Sequence, residues 1–391
     1  MNKGNDDRFR GFNFARVNLF LLGFIALLLA GAALKLTADV VLPFVVAVLL
    51  TFVLEPFIIA LERIKIPRSL GAIGLVIMLG AGIYVVGAIL FSSVRTILTL
   101  FPRYELRFTE IYQMIAGLLE LPYDEHLSLF QNLWGQSTLR GSVQSLAFGF
   151  SEAFFGFLAD TVMVVLFVVF LLLELGHFRE RVELAFAGKL SERIQKIIAA
   201  TIVQVARYLT VKFFVSLATG VIVTIGLGLI GVDFPVVWGV IAFIMNFIPN
   251  IGSIAAGGGV TLFALVQFWP QPGPIIAAAA LMLVVNFAIG NFIEPRLQGQ
   301  NLGLSPFVIL ASLLAWGWLW GFAGLVLAVP MTVIVKIVCE NVPILEPVSI
   351  MLGSYKAAKL KEVAADHEAR GSGDDDSSGA ASVRGGEVDR P

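Results

Sequence analysis

Two polar clusters interrupt the most apolar part of this chain, NFIPNIGS at 246–253 and NFAIGNFIEPR at 286–296. In the first, Asn246, Pro249, Asn250, Gly252 and Ser253 bring amides, a hydroxyl and a helix breaker into hydrocarbon-like surroundings. Pro249 has no N–H, so a helix through it leaves the Met245 carbonyl without its usual donor. Asn246 and Asn250 are four apart and share one face of any helix. In the second cluster Asn286, Gly290 and Glu294 repeat that spacing, and Pro295 frees the carbonyl of Asn291 beside the same face.

An amide without partners in hydrocarbon costs roughly 2–7 kcal/mol. Broken backbone at membrane depth is tolerated only against protein or a water-filled cavity. The chemistry on offer is hydrogen bonding to a polar solute, or coordination of a hard cation by amide and carboxylate oxygens. Each cluster also has a plainer reading. The first can be a surface turn whose asparagines cap helix ends; the second can end a span with Glu294 paired to Arg296. Glu55 in LEPFI repeats the Glu-Pro arrangement, with Pro56 freeing Phe52, and is either a pathway carboxylate or a partner of Arg63. Asp160, near the start of an apolar run, reads as interfacial, and Trp316, Trp318 and Trp320 read as a membrane-interface belt or as helix packing.

The elements that must position these residues are membrane spans. The chain is 58% hydrophobic and 14% charged, with a mean hydropathy of +0.89, whereas soluble domains run near 25% charged. Runs of roughly 20 apolar residues suffice to cross a bilayer. Such runs fall at 17–34, 39–61, 69–91, 153–174, 209–231, 234–268, 275–293 and 304–338. The expected fold is an all-α polytopic membrane protein of about eight transmembrane helices, some broken or re-entrant. Stretch 234–268 is left open between a span and a re-entrant hairpin, and Pro330 is expected to divide 304–338.

The expected organisation is a cytoplasmic segment 1–16, three spans over 17–91, an amphipathic extracytoplasmic segment 92–150 and a fourth span 151–175. A basic amphipathic cytoplasmic helix 176–208, a C-terminal block 209–338 with broken helices, an amphipathic segment 339–361 and a disordered acidic tail 362–391 follow. Basic groups before the first span, at 63–68, at 176–208 and at 356–361 fall on one side, which the positive-inside rule makes cytoplasmic, with both termini.

A net charge of −1 points to no nucleic-acid partner. The single cysteine, Cys339, forms no internal disulfide, and three scattered histidines show no metal-ligand spacing. No cofactor or metal is expected. No GxxxxGK[ST] cradle and no nucleophile–base constellation within the spans is present, so neither ATP hydrolysis nor other enzymatic activity is expected.

FIMNFIPNIGS, followed by NFIEPRLQGQNLGLSPFVILASLLAWGWLWGFAGLVLAVPMTVIVKIV, resembles the autoinducer-2 exporter family of bacterial inner-membrane permeases, over about 15–345. The resemblance implies a homo-oligomer of about eight spans that exports a small molecule, the quorum signal autoinducer-2 being the namesake; some relatives are credited with sodium/proton antiport. It carries over to Asn246, Pro249, Asn250, Gly252 and Ser253, and to Asn286, Asn291, Glu294, Pro295 and Arg296. Three functions stay open. They are export of a small polar solute, sodium(lithium)/proton exchange through Glu294 or Glu55, and a non-transporting scaffold or lipid-handling protein acting through its amphipathic segments.

Overall fold

The computed structural model describes residues 14–119, 139–186, 188–298 and 303–353. The tail expected at 362–391, and 120–138 of the expected extramembrane segment, lie outside the described residues. Among the described residues the chain is helical, with one isolated bridge, Leu304 to Gly353. The helices are α1 (Phe14–Leu36), α2 (Ala38–Arg63), α3 (Arg68–Leu119), α4 (Leu139–Ala185), α5 (Lys189–Ile230) and α6 (Pro235–Met245). There follow α7 (Ile251–Phe268), α8 (Pro272–Ala288), a π-turn (Ile289–Ile293), α9 (Glu294–Gln298), α10 (Pro306–Asn341) and α11 (Glu346–Leu352). Seven helices among the described residues are long and apolar enough to cross a membrane, and shorter apolar helices cover Leu21–Leu36 and Pro235–Met245. This is an all-α polytopic membrane protein.

Residues 234–268, left open in the sequence, form a helical hairpin. Pro235 starts α6, where its missing N–H is no loss. The chain turns at 246–250 and α7 runs back, so that the Trp238 and Phe263 rings pack with centroids 5.4 Å apart and planes tilted by 49°. Gln267 clasps the open end: its Oε1 accepts from the Asp233 N–H at 2.8 Å and its Nε2 donates to the Gly231 carbonyl at 2.9 Å. With 11 residues, α6 is about 16 Å long, half the thickness of the hydrocarbon core.

α10 is a second hairpin, and here the expected division at Pro330 is corrected. The backbone leaves helical geometry at Trp320 and Gly321, while Pro330 stays inside the returning arm. Gly321 takes φ +59 and ψ −135, a conformation that needs the missing Cβ. Trp316 Nε1 donates to Thr332 Oγ1 at 3.3 Å; in a straight helix those residues would stand about 24 Å apart. Pro330 is harmless because the freed backbone at its site is packed against protein and not lipid: Val329 and Val333 are buried against α2 and α5.

The boundary expected at residue 92 does not break the helix. α3 continues for 52 residues, about 78 Å, more than twice the hydrocarbon thickness. The helix runs unbroken through Ser92 and Ser93, whose hydroxyls donate back to the Ile89 carbonyl and so find partners within the helix itself. Beyond the span, Tyr104 donates to Asp233 Oδ2 at 2.7 Å and so ties this extension to the base of the first hairpin.

Four apolar clusters hold the described helices together, three of them between the long helices. α5 to α8 pack around Val223, Leu227, Val260 and Met282; α2, α5 and α10 meet at Leu49, Val205 and Val333; α2, α3 and α4 meet at Ile58, Ala72 and Leu172. In the third, Glu55 pairs with Arg68 at 2.6 Å and not with Arg63, correcting that expectation. Arg68 also donates through Nε to the Leu172 carbonyl at 2.8 Å, so one guanidinium fork joins α2, α3 and α4.

Candidate functional site

The tip of the first hairpin sits inside the bundle. Ile248 is buried with Leu313 and Ala328, one from each arm of the second hairpin. Asn246 donates through Nδ2 to Ser216 Oγ on α5 at 3.0 Å. The expectation that Pro249 strands the Met245 carbonyl is corrected here. The Ile248 N–H donates to it at 2.9 Å, and Gly252 N–H donates to the Ile248 carbonyl at 3.2 Å. A tight turn re-satisfies the backbone that the proline released. That turn needs Gly252, since a Cβ there would overlap the Met245 carbonyl oxygen. Asn250 takes φ +60 and ψ −52 at the centre of a three-residue turn closed by the Ile251 N–H on the Pro249 carbonyl at 2.7 Å, the strained γ-turn conformation. Neither asparagine side chain caps a helix.

The second cluster approaches the same place. A π-turn over Ile289–Ile293 widens the helix at this point, and the extra residue per turn brings Asn291 round toward the face of Asn286 and Gly290. Asn286 Nδ2 donates to the Ser253 carbonyl at 3.3 Å, stitching α8 to α7.

A cavity of about 440 Å³ opens between these segments. Asn246, Pro249, Asn250 and Ser253 line it from the hairpin, Asn286, Gly290, Asn291 and Glu294 from α8 to α9, and Lys212 from α5; Ile248, Ile254, Leu283 and Phe287 supply apolar wall. Of the sequence-selected residues, Gly252, Arg296 and Glu55 do not line it. Gly252 shapes the tip, Arg296 is exposed, and Glu55 is held by Arg68 between α2 and α3.

Lys212 is the lining residue that motif reasoning passed over. Its Nζ lies 2.7 Å from Glu294 Oε1, with side-chain exposures of 4% and 19%. Glu294 therefore pairs across the bundle with Lys212, and the local pairing with Arg296 is corrected. A charge this enclosed is held only with a partner, because desolvation costs several kcal/mol per ion. The signal was present: Lys212 is a lone charge in the apolar run 209–231, and an intramembrane ionisable group is a functional candidate by default. Tyr208, Lys212 and Ser216 recur at four-residue spacing, a polar stripe along α5.

A polytopic helical protein in which the tip of a folded-back hairpin and a π-turn line a polar, ion-paired cavity has the build of a membrane transporter. The chain belongs to the AI-2E transporter family, whose model matches residues 22–344. It is similar to a Borreliella burgdorferi protein whose name describes a transport protein, 31% identical over 356 residues, covering 89% of this chain and 96% of the relative. It is also similar to the AI-2 transport protein TqsA of Escherichia coli (strain K12), 28% identical over 339 residues, 85% of this chain and 94% of that one. A shorter match, 31% over 173 residues, 44% of this chain and 48% of the relative, is to the sodium-lithium/proton antiporter of Halobacillus andaensis.

Proposed function

We propose that this transporter exports a small polar solute through the Asn-lined cavity, with an autoinducer-2-like, hydroxyl-rich signal as the leading candidate. The observation that carries the reading is convergence: two polar clusters some 40 positions apart in sequence and a lone lysine line one cavity of about 440 Å³. That volume lies within the roughly 300–1,000 Å³ of small-molecule sites. Asparagine amides suit hydroxyls because they both donate and accept. On this reading Asn246, Asn250, Ser253, Asn286 and Asn291 contact solute, Pro249 and Gly252 shape the tip, and Lys212 and Glu294 set the local charge. Glu55 and Arg296 make no solute contact. The protein works in a bacterial inner membrane with both termini cytoplasmic, as a homo-oligomer in contact with lipid.

Purified protein in proteoliposomes tests this. Asn286→Leu removes the amide that faces both Ser253 and the cavity; we expect solute flux to fall to background while the protein still inserts. Flux equal to the unaltered protein would remove Asn286 from the site.

A second reading, sodium or lithium exchange for protons, is favoured by one feature, the carboxylate of Glu294 among amide oxygens at the cavity, and by the name of the Halobacillus relative. Everted vesicles given a sodium pulse decide it, since exchange alkalinises or acidifies the lumen and solute export does not.

A further inference from the structure

Three of the four asparagines that line the cavity are turned in a consistent sense. Asn286 and Asn291 each aim Nδ2 at a backbone carbonyl, of Ser253 at 3.3 Å and Phe287 at 3.1 Å, which fixes which end of the amide faces the protein. Asn246 likewise directs Nδ2 at Ser216 Oγ. Among the described residues no side chain donates to the three Oδ1 atoms. Among the described residues no buried side-chain oxygen lacks a partner, so the oxygens of half-buried Asn246 and Asn286 are solvent-accessible, on side chains that line the cavity; Asn291 is an exposed lining residue. With the Glu294 carboxylate these oxygens give the wall several acceptors, beside the Asn250 amide and Ser253 hydroxyl, which both donate and accept. The one ammonium that lines it, Lys212, is committed to Glu294 at 2.7 Å, and no other charged residue lines it.

We propose that Glu294 is a specificity-determining residue. By neutralising Lys212 it makes the cavity a site for neutral, hydrogen-bond-donating solutes such as polyols, and closes it to carboxylates. This rests on the cavity being the solute site and deepens that reading. A polyol hydroxyl donates to the Asn246, Asn286 and Asn291 oxygens. A solute carboxylate meets those same oxygens lone pair to lone pair, and it meets Glu294 as a like charge. Lys212 gives it little in return while its charge is cancelled a hydrogen-bond length away.

The test uses the full-length protein in proteoliposomes and two probes matched in size, radiolabelled ribitol and radiolabelled ribonate. The unaltered protein is expected to move ribitol and not ribonate. Glu294→Gln leaves Lys212 uncompensated and is expected to raise the ribonate-to-ribitol flux ratio roughly tenfold or more. The double variant Lys212→Met with Glu294→Gln, neutral again, is expected to return the ratio to that of the unaltered protein. Ser253→Lys keeps the ion pair and adds an unpaired ammonium to the wall. It should admit ribonate as Glu294→Gln does, and it serves if Glu294→Gln does not insert.

An unchanged ratio in Glu294→Gln or Ser253→Lys, with ribitol still moving, overturns the charge assignment and leaves the solute site standing. Ribonate moving as fast as ribitol in the unaltered protein overturns it too. Movement of neither probe in the unaltered protein overturns the underlying solute reading, and the charge assignment with it.

Discussion

Lys212 and Glu294 show how little one ion pair owes to sequence neighbourhood. Arg296 stands two residues from Glu294, yet the partner is Lys212, 82 positions away on α5. The asparagines were legible because polar groups and prolines stand out against an apolar run. Lys212 is legible as a lone charge in an apolar run, but its partner is not, because nothing local indicates what neutralises it. The energetics give a direct prediction. Lys212→Met leaves the enclosed Glu294 carboxylate without its cation and costs about 3–5 kcal/mol, while adding Glu294→Gln recovers most of that loss. Thermal unfolding of the three proteins in one detergent should rank the unaltered protein and double variant close together, with the single variant well below.

At the scale of elements, the two hairpins were only half visible. The length of 234–268 was compatible with a span or a hairpin, and packing of Ile248 on Leu313 and Ala328 decides for the hairpin. Proline marked the first turn but misled at the second, where Gly321 makes the break and Pro330 sits within a packed arm. Proline removes a hydrogen bond wherever it stands, but glycine alone admits the dihedral angles of that corner. Gly321→Ala should therefore cost about 1–3 kcal/mol, whereas Pro330→Ala should leave stability near that of the unaltered protein, both read as shifts in thermal midpoint. The clasp at the base of the first hairpin gives another prediction. Gln267→Leu removes both of its bonds, to Asp233 and Gly231, and at about 0.5–1.5 kcal/mol per bond should raise amide hydrogen exchange across Asp233–Trp238. The same exchange in Phe213–Thr219 of α5 should be unchanged.

For the whole molecule, composition alone was enough to establish a polytopic helical membrane protein. Contacts across the sequence, which composition does not encode, determine how the part of α3 beyond its candidate span, Arg68–Ser93, meets the hairpin. Burial, and then the hydrogen bond to Asp233, push the Tyr104 phenol above its ordinary range. A raised phenol stabilises the fold below its unfolded value of about 10 and loses that contribution only as pH rises through the higher folded value. Tyr104→Phe should accordingly lower the thermal midpoint by the same amount at every neutral or mildly alkaline pH, and the two proteins should converge only in strong alkali.

The central claim is that solvent or solute reaches the junction of hairpin tip and π-turn inside the bundle. It is tested most directly by thiol accessibility in a Cys339→Ser background, using a small charged methanethiosulfonate on intact vesicles. Ser253→Cys, on the cavity wall, should be modified readily and be protected by transported solute, while Ala264→Cys, fully buried on the same helix, should stay unreactive. Ser253→Cys proving as inert as Ala264→Cys would contradict the account, because the cavity would then be closed to anything that could pass.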